Sequence, residues 1–192
     1  MSTDDLIQRL SGDLAPVKAD ALVRRLTLAV AVGGVAALAG ALILVGARPD
    51  LFEAVRTGPF WMKAAYTTGL ALFSLVIVHQ SARPGGGGGM AWAPVIAVVG
   101  LALAMGAVEL WRADPASRGQ IWMGHSWSVC MPRIVGLSIP VFVAVLLTLR
   151  SMAPTRLRLA GFAAGVAAGA VAATVYGLSC DEVAAAFMST WY

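Results

Sequence analysis

A chain of 192 residues that is 59% hydrophobic and 12% charged, with mean hydropathy +0.79, carries more apolar surface than one water-soluble core can hide. That excludes a soluble globular domain and points to an integral membrane protein. The net charge of +4 is informative through its distribution between loops rather than its size.

In chain order, residues 1–25 read as a cytoplasmic leader. Ser2 and Thr3 cap a short helix whose first turn holds Asp4 and Asp5, favourable at the positive end of the helix dipole. Leu6, Ile7, Leu10 and Leu14 form its apolar stripe, and Gly12 and Pro16 limit its length. A helix this short is unstable alone in water, so it folds on a surface, either a protein groove or the bilayer. The acidic residues weaken attraction to anionic lipid, which favours a protein.

A transmembrane helical domain is expected over residues 26–179. A span needs about 20 mainly apolar residues to cross a hydrocarbon layer of roughly 30 Å. Five segments qualify: Leu26 to Gly46, Pro59 to Val78, Ala91 to Leu110, Val129 to Leu149 and Leu157 to Leu178. The fold class is therefore all-α, a polytopic bundle, because a helix satisfies its backbone polar groups within its own segment. The short alternating runs of a transmembrane barrel are missing. Arg24 and Arg25 before the first span hint at a secretory address, but the apolar run exceeds the roughly 7–15 residues of a signal core, and the leader holds four acids. The first span reads as a retained anchor.

Arg9, Lys18, Arg24, Arg25, Arg83, Arg150, Arg156 and Arg158 share one side of this layout. The other side mixes Arg48, Arg56, Arg112 and Arg118 with acids, so the positive-inside rule puts the N-terminus in the cytoplasm. Trp61, Trp111, Trp122, Trp127 and Trp191 fall near the outer boundary, where amphipathic rings prefer headgroup depth, and Trp92 marks the inner side. Lys63 and Glu109 near outer span ends read as a pair or as snorkelling anchors, and His79 as an anchor at the inner end.

The five-glycine run from Gly85 to Gly89 reads as a flexible connection with no phosphate-binding role, since no strand precedes it and no lysine with Ser or Thr follows. The last span carries Gly161, Gly165 and Gly169 at a spacing of four, a stripe that lets another helix approach closely. Packing against the fourth span is the favoured reading, and a homodimer face the alternative. Gly33 with Ala37 and Ala36 with Gly40 make a shorter version in the first span. Residues 180–192 are too short to span and are expected along the outer interface.

Cys130 lies 24 residues before Pro154 and Cys180 lies 26 after it. Two antiparallel helices leaving a turn near Ala153 and Pro154 reach both cysteines at nearly equal height. The outward side of a bacterial inner membrane is oxidising, so a thiol or disulfide pair is the favoured reading, with two independent buried thiols as the alternative. Arg133 shares the helical face of Cys130 and places a cation where it favours thiolate. His125, Asp181 and Glu182 are further candidate ligands, but cysteines fifty apart lack CxxC spacing, so any metal held by Cys130 and Cys180 is transient. No cofactor and no direct nucleic-acid contact are expected.

The segments Thr3-Asp4-Asp5-Leu6-Ile7, Asp13 to Val17, Arg48-Pro49-Asp50-Leu51, Leu137-Ser138-Ile139-Pro140, Leu159-Ala160-Gly161 and Tyr176 to Glu182, in that order and with the two cysteines, resemble the NrsF-type membrane anti-sigma factors. The resemblance covers nearly the whole chain. It implies a regulator of the bacterial inner membrane rather than an enzyme. The leader would hold an extracytoplasmic-function sigma factor through Asp4, Asp5, Leu6, Ile7, Leu10 and Leu14, and periplasmic Cys130 and Cys180 would receive a heavy-metal or oxidant signal. It also implies a sixth span, expected to begin where this chain stops at Trp191-Tyr192. Two rival readings are a membrane thiol oxidoreductase, which would show a CxxC motif and a relay pair, and a small transporter, which would show mid-membrane polar residues and repeats.

Overall fold

The computed structural model describes residues 3–12, 20–83, 89–152, 154 and 156–192, and among these every regular element is helical. The leader forms α1, Thr3–Gly12, with Asp4 and Asp5 in its first turn. Ile7 is 58% exposed. Leu14 and the side chains of Leu6 and Leu10 lie outside the described residues, as does most of the glycine run.

Helix α2, Ala21–Leu44, buries Leu22, Leu26, Gly33, Ala37 and Ala41, a stripe at helical spacing that faces the rest of the bundle. It closes at Gly46, whose φ of 83° suits a residue without a Cβ, and both Val45 N and Gly46 N donate to Ala41 O. The short α3, Leu51–Ala54, follows Arg48, which forks onto Asp50 at 2.7 and 2.6 Å. That fork holds the Asp50 carboxyl below its ordinary range. The backbone N–H of Arg48 also donates to Leu178 O, fastening this loop to the far end of the chain.

Helix α4, Gly58–Ser81, is followed by a 3₁₀ turn, Gly89–Trp92, and α5, Ala93–Arg112. The short α6, Arg118–Met123, leads into α7, Trp127–Arg150, and α8 spans Leu157–Tyr176. The five expected spans correspond to α2, α4, α5, α7 and α8, each in a stretch long and apolar enough to cross a membrane. Leu28, Val35, Leu72, Leu101, Ile139 and Leu147 point away from the bundle, an arrangement that suits hydrocarbon and not water.

Helix α8 is the centre, packed on α4, α7 and α2. Its tight face is made of alanines, including Ala163, Ala164, Ala167 and Ala168, all at most 1% exposed. This corrects the expected glycine stripe. A Cβ added at Gly161 or Gly169 would meet nothing within 4 Å, and at Gly165 only Phe142 Cε2 at 3.9 Å. A spacing of four defines a helix face, but in so alanine-rich a helix several faces are small enough to pack, and α8 turns an alanine face inward.

The close approach occurs in α2 instead. A Cβ at Gly33 would lie 2.6 Å from Val141 Cα and 3.2 Å from Pro140 O of α7, and one at Gly40 would lie 3.2 Å from Leu137 Cδ2. Gly33→Val should therefore force the two backbones apart and destabilise the protein by about 1–3 kcal/mol, the usual range for overpacking. Gly161→Val should be close to neutral. Unfolding in mixed detergent micelles checks the ranking, and the opposite order would overturn the assignment of the α2–α7 seam.

Residues 180–192 fold back against the bundle. Helix α9, Ala185–Trp191, buries Ala186, Phe187 and Met188 and lies chiefly on α5, where Gly106 leaves room for it. A Cβ at Gly106 would stand 2.9 Å from Ala186 Cα. Glu109 Oε2 accepts the backbone N–H of Ala186 at 2.8 Å, which satisfies an orphan donor at the start of α9.

Candidate functional site: a buried thiol pair

The fold brings Cys130 and Cys180 together. Cys130 sits in the first turn of α7 and Cys180 just beyond α8, and their sulfurs are 3.7 Å apart as free thiols. Both are buried, at 0% and 3% exposure. The nearly equal distances from the turn near Pro154 thus have a structural counterpart: antiparallel α7 and α8 carry both residues to one end of the bundle.

The pair lies in a polar nest. Ser126 Oγ is 3.1 Å and Tyr176 Oη 3.5 Å from Cys130 Sγ. Arg133 Nη1 donates to Tyr176 Oη at 3.4 Å, so its guanidinium reaches Cys130 through the phenol rather than along its own helix face. Nothing in the sequence singles out Tyr176 for this site except its position four residues before Cys180. Contact with the Cys130 sulfur and burial push the Cys180 thiol up, against the pull of the Lys63 charge.

Lys63 corrects a second expectation. It neither snorkels nor pairs with Glu109: it is 3% exposed, and Nζ donates to Cys180 O at 3.1 Å and to Glu182 O at 3.0 Å. The ammonium also lies 4.3 Å from the centre of the Tyr192 ring, a cation–π contact. The reason is steric and local. Lys63, Thr67, Ser74 and Ser81 form one small or polar stripe on α4 that faces α8, and the tail brings two carbonyls to the stripe's end. Burial pushes the Tyr192 hydroxyl up, and Tyr192 Oη has no hydrogen-bond partner among the described residues.

A lid of residues covers the nest. Glu182 Oε1 accepts the backbone N–H of His125 and lies 3.3 Å from Ser126 Oγ, so it ties the 180–184 segment to the turn before α7. Gly124 in that turn has φ of 58°, and a Cβ there would lie 2.6 Å from Phe187 Cδ2. Trp191 packs on Trp122 and Trp127, and its indole N–H donates to Trp122 O at 3.0 Å. Trp92 packs on Phe162 elsewhere in the bundle.

Chemically, the nest offers two soft sulfur donors at bridging distance, with hydroxyl donors and one buried cation around them. Among the described residues no group of three or more His, Cys, Asp or Glu is arranged to hold a metal ion. The Glu182 carboxylate accepts from the backbone N–H of His125 and from Ser126, so it serves the turn before α7. The leader residues Asp4, Asp5 and Ile7 lie on α1, in a different element from the thiol pair.

Comparison with known proteins agrees with the resemblance read from the sequence. A family model described as "Negative regulator of sigma F" matches residues 10–192. The anti-sigma-F factor NrsF of Caulobacter vibrioides is 42% identical over 193 residues, covering 100% of this chain and 90% of that protein. A probable anti-sigma-F factor NrsF of Azospira oryzae is 41% identical over 196 residues with the same coverage. No solved structure matches. With its five long apolar helices, and matched from residue 10 to its last residue, the chain belongs to the NrsF family of negative regulators of sigma F.

Proposed function

We propose that this protein is a membrane-embedded anti-sigma factor of the bacterial inner membrane. Its cytoplasmic leader holds a sigma factor of the extracytoplasmic-function class, and a change at the Cys130–Cys180 pair on the periplasmic side releases it. The observation that carries the reading is a pair of buried thiols 3.7 Å apart in a chain of this family, far in sequence from an amphipathic leader with an exposed Ile7.

The two ends need a shared bistable element, because a signal shifts an equilibrium only through unequal affinity for two states. Helix α7 is a physical candidate. It carries Cys130 near one end, and at the other Ser151 Oγ accepts from Arg25 Nη1 at 3.5 Å, next to the start of α2 and the leader. Oxidation or a bridging thiophilic metal would draw Cys180 and Cys130 together and shift α7 against α8. The thiol oxidoreductase reading would require a second thiol pair for relay, and Cys130 and Cys180 are the chain's two cysteines.

The test is co-purification of the full chain from membranes with its sigma factor, before and after a thiol oxidant or a thiophilic heavy-metal ion. The expected result is retention at rest and release after treatment. Cys130→Ser and Cys180→Ser should retain the sigma factor under both conditions. Release that is unchanged in the cysteine variants would remove the thiol pair from the signal path, and failure to retain any sigma factor would remove the anti-sigma reading.

A further inference from the structure

The thiol pair is chemically asymmetric, and its hydrogen-bond partners show in which sense. The Tyr176 hydroxyl accepts from Arg133, which leaves its single proton to donate, and the acceptor it faces is Cys130 Sγ. Ser126 has one proton and two neighbours, Cys130 Sγ and Glu182 Oε1. When Cys130 is a thiolate it has no proton to give, so the Ser126 hydroxyl can turn to it. The third partner is the Cys180 thiol itself. The Tyr176 and Ser126 hydroxyls, and the Cys180 thiol once Cys130 is deprotonated, can therefore all donate to one sulfur, in the first turn of a long helix whose dipole also favours an anion there.

Cys180 has the opposite setting. Its sulfur is 3% exposed and faces Cys130 Sγ, and contact with that sulfur and burial outweigh the favourable influences of Lys63 and the Glu182 backbone amide. Among the described residues, the charged or titratable groups around the pair include Lys63 on α4, Arg48 in the α2–α3 loop, Arg133 on α7, Tyr176 on α8, and Asp181, Glu182 and Tyr192 in the tail. Of these, Tyr176 is hydrogen-bonded to the Cys130 sulfur and not to Cys180, and Arg133 is bonded to that phenol.

We propose that Cys130 is the sulfur that reacts first with a hydroperoxide and Cys180 the resolving thiol, with Tyr176 and Arg133 as positioning residues for the Cys130 thiolate. The proposal rests on the thiol-sensing reading above and gives it an order of events. The Cys130 thiolate attacks one peroxide oxygen, the O–O bond breaks, and Cys130 becomes a sulfenic acid while the peroxide is reduced to an alcohol or water. That product takes the proton Cys130 had lost. Cys180 then attacks the sulfenic sulfur, the S–O bond breaks, and hydroxide leaves with the Cys180 proton as water. Two thiols and one peroxide give one disulfide, one alcohol and one water. The sulfurs close from 3.7 Å to about 2.0 Å, which draws the tail onto α7.

The first measurement needs no substitution. The full chain in native membranes is treated briefly with iodoacetamide below saturation, from about pH 6 to about pH 9, and the two cysteine peptides are quantified. At neutral pH, Cys130 should be modified about tenfold faster than Cys180 or more, since each unit of thiol pKa is tenfold in thiolate. Tyr176→Phe should move the Cys130 profile to higher pH and leave the Cys180 profile in place, because it removes a donor to the thiolate. After hydrogen peroxide, Cys180→Ser should accumulate a dimedone-reactive Cys130, whereas Cys130→Ser should leave Cys180 unlabelled. Equal rates in the unsubstituted chain, a faster Cys180, or an unmoved Cys130 profile in Tyr176→Phe would overturn the proposal. Sigma-factor release is not read in these measurements. Ordered thiols without release would sink the functional reading alone, and release with symmetric thiols would sink this one alone.

Discussion

Lys63→Met is expected to free residues 180–192 from the bundle while leaving the five long helices packed. Lys63 is buried, and its ammonium is shared by Cys180 O, Glu182 O and the Tyr192 face, all of them in the tail. Removing the ammonium leaves two buried carbonyls short of a donor, at about 1–3 kcal/mol for each such group, and ends a cation–π contact of about 0.5–2 kcal/mol. Relief of the desolvation of a buried charge offsets part of that loss. Carbonyl oxygens also tolerate one empty lone pair better than an N–H tolerates no acceptor. A net loss of about 2 kcal/mol, confined to the tail, is the expected balance. Because about 1.4 kcal/mol is tenfold, the opened fraction should rise about thirtyfold.

Two readouts follow the tail without depending on function. The alkylation rate of Cys180 should rise with the opened fraction, and fluorescence from the Trp122, Trp127 and Trp191 cluster should shift as Trp191 leaves its neighbours. Thermal unfolding of the long helices should move little, since α2, α4, α7 and α8 keep their alanine and glycine seams. An unchanged Cys180 rate would mean that Phe187 in its pocket and Glu109 at the start of α9 seat the tail without Lys63.

The contrast between Lys63 and the cysteines shows what kind of information the sequence carries. The spans are legible because lipid imposes one demand, about 20 apolar residues in a self-satisfied helix, and α2, α4, α5, α7 and α8 meet it nearly where expected. The juxtaposition of Cys130 and Cys180 is legible because two antiparallel helices turn equal distances in sequence into equal heights. Rotation about a helix axis is another matter. In hydrocarbon, apolar side chains are at home on either face, so hydropathy does not say which face turns inward. That is why the spacing of Gly161, Gly165 and Gly169 suggests a tight face where α8 packs an alanine face instead, while Gly33 in a shorter motif meets the α7 backbone. The same degeneracy hid the direction of Lys63. The clue that breaks it is the run Lys63, Thr67, Ser74 and Ser81 at helical spacing, since four polar residues on one face of a span belong against protein. The fold-back of residues 180–192 was illegible for a different reason: seven helical residues read as interfacial until α5 supplies the groove at Gly106.

The leader separates an anti-sigma factor from its rivals more sharply than the thiols do. Asp4 and Asp5 stabilise the first turn of α1, and Ile7 is displayed to solvent as a residue of its apolar stripe. If that stripe docks in a sigma-factor groove, Ile7→Asp, Leu6→Asp or Leu10→Asp places an unpaired carboxylate in an apolar contact. The helix propensity of Asp is little different from that of Ile, so in Ile7→Asp the loss falls on binding rather than on α1 itself. A cost of about 2–4 kcal/mol weakens the complex roughly 30-fold to 1,000-fold, enough to release most of the sigma factor. The spans are untouched, so membrane abundance should not change. A reporter for the sigma-dependent genes, read at equal membrane abundance, should therefore be on without any inducing signal in each leader variant. In Cys130→Ser and Cys180→Ser it should stay off whether or not oxidant is added. A reporter that stays silent in all three leader variants would show that α1 does not hold the partner, and would overturn the leader as the sigma-factor contact.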